Sequence, residues 1–173
     1  MPAPAQLKEF LVKTPFFGGL PDTSLHRIMA MLTQRCFFEG ATVFKEGDSG
    51  RSMYIICEGN LVVYRNGPSG KPIKMMRLDP GAFFGETTLI EMQPRPHTVR
   101  AESSAVLYEL TNANLYALFQ QDVDAYILVL QNINRELCRR IRRADGRIAD
   151  WADESDDPST QIRTRDEVFK GKA

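Results

Sequence analysis

Residues 81–101 read GAFFGETTLIEMQPRPHTVRA, and they hold the parts needed to seat an anion that also carries a hydroxyl. Arg95 offers a permanent charge and a planar fork of N–H donors that matches phosphate oxygens. Glu86 is an acceptor-only carboxylate, repelled by a phosphate but suited to a sugar hydroxyl beside it. Gly85 permits close backbone approach and unusual φ at the turn between them. Phe84 reads as the end of a strand, and residues 86–92 as a short helix that Pro94 ends. The unpaired N–H groups at that helix's N-terminus favour negative charge without dedicated side chains. Arg95 opens the next strand, with its guanidinium expected to lie open to water when no ligand is bound. An Arg and a Glu at strand ends are by themselves an ordinary solvated pair, so it is the unbroken run that carries the inference.

The stretch FGETTLIEMQPRPHTVRA resembles, without a gap, the phosphate-binding cassette of cyclic nucleotide-binding domains. Such domains occur in catabolite activator protein, protein kinase A regulatory subunits and cyclic-nucleotide-gated channels. The resemblance implies that Arg95 pairs with the cyclic phosphate and that Glu86 accepts the ribose 2′-OH. It also implies that Gly85, Thr87 and Thr88 line the site with N–H groups; Phe84, Pro96, His97 and Thr98 complete the candidate ligand-binding set.

Two positions depart from the family pattern. The residue after the arginine is usually Ser, Ala or Thr, with Thr associated with cGMP preference, and its N–H helps to hold the phosphate. Here it is Pro96, which has no N–H to give. An unfilled acceptor in a buried site costs roughly 1–3 kcal/mol. His97 then replaces a usually small side chain. The expected ligand is cAMP.

The elements that must position these residues follow from periodicity. Leu7, Phe10 and Leu11 recur at helical spacing over residues 6–13. A second helix carries Leu25, Ile28, Met29 and Leu32, with Asp22, Thr23 or Ser24 as its cap. Residues 33–110 change to short β-rich runs broken by Gly, Asn, Asp and Pro. Candidate strands are 34–38, 42–44, 52–58, 60–65, 73–78 and 99–110 with breaks, the pattern of a sandwich or barrel. VFKEGDSGRSMYIICEGNLVVYR resembles the family's barrel wording, with Gly47 and Gly59 read as turn formers that touch no ligand. Thr111 or Asn112 can cap a helix over 113–121 with Leu115 and Leu118 inward, and Asp122 starts a longer one.

In that long helix Ile127, Leu130, Asn134, Leu137, Ile141, Ala144, Ile148 and Trp151 alternate in steps of three and four, an a/d heptad series. Its first two turns are expected to pack on the barrel and the remainder to meet a second chain, giving a homodimer through residues 127–151. Asn134 would fix the register of a parallel pair, and Gly146 weakens the helix by ~1 kcal/mol. Arg139, Arg140, Arg142 and Arg143 lie off the stripe and read as a solvated face. The expected architecture is α+β, mainly β: a jelly-roll barrel flanked by N-terminal helices and a long C-terminal helix. Its divisions are a loose start at 1–5, a domain at 6–151 and a disordered tail at 152–173.

Composition narrows the function classes. Twenty-two basic and 22 acidic residues cancel, so no global field favours DNA or an anionic membrane. Cys36, Cys57 and Cys138 are odd in number and lack CxxC spacing, which points to reduced thiols in a cytoplasmic protein. No catalytic constellation appears, no cofactor is expected, and His26 and His97 lack metal-ligand spacing. The 22 residues after Trp151 are too few for a helix-turn-helix module. The reading is a stand-alone, non-enzymatic cyclic nucleotide receptor acting on a protein partner that the sequence does not name. The alternatives are a ligand-independent interaction module and a receptor for another phosphate ligand, such as a cyclic dinucleotide.

Overall fold

The computed structural model describes residues 4–155; the expectations for residues 1–3 and from 156 onward lie outside the described residues. Two helices, α1 (Pro4–Val12) and α2 (Asp22–Met31), flank a 3-10 turn at Pro15–Phe17. Pro4 and Ala5, expected to be loose, already belong to α1. Eight strands follow: β1 (Thr33–Phe37), β2 (Thr42–Phe44), β3 (Ser52–Glu58), β4 (Leu61–Asn66), β5 (Pro72–Leu78), β6 (Phe83–Phe84), β7 (Thr98–Ala101) and β8 (Ala105–Thr111). Between β6 and β7 lies α3 (Thr87–Glu91), and after β8 come α4 (Asn112–Gln121) and α5 (Val123–Ser155).

The strands form two four-stranded sheets, ordered β1-β8-β3-β6 and β2-β7-β4-β5, with antiparallel pairing throughout. Strand alternation sends Ile56, Phe84 and Leu107 from one sheet, and Leu61, Val63, Leu78, Val99 and Ala101 from the other, into one buried core. This is the expected α+β jelly roll. Gly59, at φ +80°, is needed for closure because a Cβ there would collide with Ser104 O and the Ala105 backbone. β6, too short to show periodicity, pairs Phe83 with Ile55 and Phe84 with Tyr54.

Helix capping differs from expectation at one end and matches at another. Pro21 occupies the N-cap of α2 and no side chain caps it. Ser24 instead donates to Asp122 Oδ2 at 2.6 Å, and Arg27 joins the same carboxylate oxygen at 2.8 Å. At α4, Thr111 and Asn114 form a reciprocal capping box. Asp122 Oδ1 accepts from Ala125 N–H at 3.1 Å and so opens α5.

Residues up to Ile133 and residues from Asn134 form two separate units. In the first, the face of α5 that is buried comprises Ala125, Val129, Asn132 and Ile133, while Ile127 is 45% exposed. The expected inward face is thereby corrected. The buried polar residue is Asn132, not the exposed Asn134. Asn132 Nδ2 donates to Phe16 O at 3.0 Å and Gly18 O at 2.8 Å, caring for carbonyls that the 3-10 turn leaves open. In the second unit the helix continues through Gly146 to Ser155, past the expected start of a tail at 152. Glu136 pairs there with Arg139, Arg140 and Arg143, at 3.3 to 3.8 Å, and Ile141, Ile148 and Trp151 are exposed.

Candidate functional site

The site begins where β6 ends. Gly85 takes a φ of +79°, and a Cβ there would meet Arg95 Nη1 at 2.6 Å and Ser52 O at 3.3 Å. Glycine is therefore required both for backbone hand and for room. Glu86, 2% exposed, holds the N-cap of α3, whose first turn buries Thr88. The helix is shorter than the expected 86–92 and Pro94 does not end it. Met92 does, at φ 54°, with its N–H returning to Thr88 O at 3.2 Å. A left-handed residue other than glycine costs roughly 1–2 kcal/mol. Here it reverses the chain early enough for residues 93–95 to run back beside Gly85.

Arg95 lies ahead of β7, held by its backbone. Its N–H donates to Asp48 O at 2.8 Å, and its carbonyl accepts from Gly47 N–H at 2.9 Å. The side chain is 4% exposed, contrary to the expectation of an open, hydrated guanidinium. Nη1 donates to Thr88 Oγ1 at 2.8 Å and Gly85 O at 3.0 Å; Nη2 donates to Ser52 O at 2.7 Å and Ser52 Oγ at 3.4 Å. The guanidinium carbon sits 4.1 Å from the Phe44 ring centre, a cation–π distance. Phe44, Tyr54 and Phe84 form one aromatic cluster, with Tyr54 and Phe84 stacked at 5.4 Å.

Burial pushes the Arg95 guanidinium below its ordinary value, while Tyr54, Glu109, Asp48 and Glu86 pull it back up. It remains a cation at neutral pH. A hydrogen-bond chain leads away from it: Ser52 Oγ donates to Tyr54 OH, which donates to Glu109 Oε1, each at 3.2 Å. Arg35 Nε donates to the other oxygen of Glu109 at 2.7 Å. Burial alone would raise the Glu109 carboxyl, but donors from Arg35, Ser52 and Tyr54 outweigh it and hold the carboxyl below its usual value.

Phe84, Gly85, Glu86, Thr88 and Arg95 are thus brought together. The other candidates are not equally placed. Thr87 is half-buried on the first turn of α3, and Pro96 is exposed. Burial and neighbouring Arg65 push the His97 imidazole down, against Glu46. Thr98 Oγ1 accepts from Glu46 N–H at 3.0 Å and so braces the turn after β2.

Residues 34–122 match the family model described as "Cyclic nucleotide-binding domain". The chain belongs to that family. This cyclic nucleotide-binding domain is 29% identical over 136 residues to the cyclic AMP receptor protein of Thermus thermophilus, spanning 76% of the chain and 59% of that relative. The crystal structure of Thermus thermophilus catabolite activator protein aligns with a TM-score of 0.71 and 26% identity, over 80% of this chain and 63% of that one. A cyclic nucleotide-binding domain from Methylobacillus flagellatus reaches a TM-score of 0.78 at 20% identity, over 83% of both chains, which speaks for the fold alone. The domain thus spans less than two thirds of the length of its Thermus relative.

Against the cassette, a concavity of about 1140 Å³ opens between the β2–β3 loop, α3 and α4, lined among others by Gly50, Ser52, Thr88, Met92, Glu109 and Phe119. Of the candidate residues only Thr88 lines it. Ser52, Gly50, Phe44, Tyr54 and Glu109 were not singled out from the sequence. The small residues of GDSGRS were the one visible signal, since a loop of that kind lets another side chain approach its backbone closely.

No helix among the described residues is long and apolar enough to cross a membrane, and no group of three or more His, Cys, Asp or Glu side chains there could hold a metal ion.

Proposed function

We propose that this domain is a receptor for a cyclic nucleotide, binding cAMP in preference to cGMP, and that it acts by binding, not by catalysis. Arg95 pairs with the cyclic phosphate, Glu86 takes the ribose 2′-OH, and Gly85, Thr87 and Thr88 offer backbone N–H groups. The observation that carries the reading is the Arg95 guanidinium: 4% exposed, charged, and hydrogen-bonded to neutral oxygens only. A buried charge is costly unless compensated, so such a position favours an anion as its further partner. Buried Glu86, close enough to act on Arg95 electrostatically, supplies the hydroxyl acceptor. The similarity to the cyclic AMP receptor protein of Thermus thermophilus supports the same reading.

Signalling would run through rearrangement of α5 and contact with a protein partner, with a homodimer formed along residues 127–151. A ligand moves such an equilibrium only through its differential affinity for the two states. The exposed Ile127, Ile141, Ile148 and Trp151 support an association face. The basic run is partly neutralised by Glu136, which argues against a nucleic-acid surface.

One observation favours the second reading, a ligand-independent interaction module: Pro96 lacks the N–H that would help to hold a phosphate. Calorimetric titration of nucleotide-stripped protein with cAMP, cGMP and cyclic di-GMP separates the readings. Saturable cAMP binding tighter than that of cGMP supports the receptor. Heat from cyclic di-GMP alone would replace the ligand, and no heat from any of the three would favour the interaction module.

A further inference from the structure

The cation on which the receptor reading rests has its donors already engaged. A guanidinium carries five N–H groups. Nη1 gives its two to Thr88 Oγ1 and Gly85 O, and Nη2 gives its two to Ser52, leaving Nε–H. An anion that takes the terminal fork must therefore displace a protein oxygen.

The four acceptors do not yield equally. Ser52 O belongs to β3, and Gly85 O to a backbone held at φ +79°. Ser52 Oγ is a long contact at 3.4 Å beside the short one to its own carbonyl, so little is lost there. Thr88 makes the one short contact to Arg95 through a side chain, at 2.8 Å. Its hydroxyl donates its own proton to Gly85 O at 2.8 Å, so it faces the guanidinium as an acceptor only. It has no proton left for an incoming phosphate, and it presents a lone pair where the phosphate would sit.

We infer that Thr88 sets the affinity of the site: its hydroxyl latches Arg95, and an anionic ligand binds by exchanging the Thr88 Oγ1···H–Nη1 bond for one to its own oxygen. The exchange is favoured because a phosphate oxygen brings a negative charge and can pair with the guanidinium in a bidentate way, whereas Thr88 Oγ1 is a single neutral acceptor. Its cost is the broken bond, which lowers affinity relative to an unlatched arginine. This extends the receptor reading and rests on it.

Gly50 independently marks the latched pose as one the chain is built around. A Cβ there would stand 2.5 Å from Arg95 Nε, 2.7 Å from Cζ and 2.9 Å from Cδ. Gly50 is not in the left-handed region, so turn geometry does not demand a glycine; room for the guanidinium does.

The test uses the full chain, stripped of nucleotide, as parent, Thr88→Val, Thr88→Ser, Gly50→Ala and Arg95→Ala. Two readouts are taken: calorimetric titration with cAMP, and nitrogen-15 NMR of the arginine side chains without ligand. Thr88→Val keeps the shape and removes the hydroxyl, and should bind cAMP about three- to tenfold tighter. Thr88→Ser keeps the hydroxyl, so the gain of Thr88→Val should be absent or smaller there. Gly50→Ala, which drives the guanidinium from its latched pose without removing an acceptor, should also bind more tightly. In the ligand-free parent the terminal nitrogens of Arg95 should give separate, slowly exchanging signals that average in Thr88→Val. The latch is overturned if those signals are averaged already in the parent. It is equally overturned if the parent binds cAMP, Arg95→Ala does not, and Thr88→Val binds no tighter; the receptor reading then stands. Absence of cAMP binding by parent and variants alike, with Arg95 latched in the NMR spectra, removes the receptor reading and the exchange with it.

Discussion

Arg95 is 4% exposed and carries a full charge, whereas Trp151 is 60% exposed and belongs to an apolar stripe. Each inverts the usual rule that charges face water and large apolar groups avoid it. Around Arg95 the inversion is compensated locally, by carbonyls, hydroxyls and the Phe44 ring. Along the distal part of α5 it is not, since Ile141, Ile148 and Trp151 each keep half or more of their surface exposed. The difference teaches what each region needs. A self-satisfied buried cation folds without a partner and answers to a better acceptor. An exposed heptad stripe gains burial only from another surface.

The widest gap between the two regions should appear with Arg95→Ala. Removing one partner of a buried charge pair costs about 2–5 kcal/mol of binding, so cAMP affinity should collapse in calorimetry. The melting temperature should fall as well, because Ser52 O and Gly85 O lose their donor. A native melt together with an unchanged dissociation constant would place the phosphate elsewhere.

Ile141→Glu probes the other side. If a second chain covers the stripe, the substitution forfeits about 1.5–3 kcal/mol of apolar burial and adds a charge, so sedimentation should shift from dimer toward monomer. The monomer's melt should barely change, since Ile141 is 59% exposed. Identical sedimentation of parent and variant would take the stripe out of self-association.

Glu86→Gln sharpens the site itself. Losing a charged acceptor for one hydroxyl should weaken cAMP by about 1.5 kcal/mol while leaving 2′-deoxy-cAMP unaffected. Equal losses for both nucleotides would show that the carboxylate does not serve that hydroxyl.

The smallest effect belongs to Pro96→Ala, which restores a backbone donor beside the phosphate. Binding should tighten by about 1 kcal/mol, while the freed backbone costs about 0.4–1 kcal/mol of folding stability. Titration reads the first effect and a ligand-free melt reads the second. Binding no tighter than that of the parent would mean that the ligand makes no use of that N–H.

The sequence by itself determined what depends on neighbours along the chain. The strand-to-helix turn at Phe84-Gly85-Glu86, the return of Arg95 and the rhythm of short strands were all legible, because φ preference, charge and period are local properties. The heptad series was legible for the same reason. Only the tertiary structure decided which face of α5 the first unit buries. Ala125, Val129 and Ile133 form an apolar stripe, with the polar Asn132 at its edge, beside Ile127 and Leu130, and periodicity does not rank two such neighbouring stripes. Tertiary structure also decided the state of Arg95. Two of its four acceptors come from Ser52, 43 residues away, and its ring partner is Phe44 on the opposite sheet from Ser52. Antiparallel pairing across a closed sandwich sets such meetings, and no spacing within residues 81–101 encodes them.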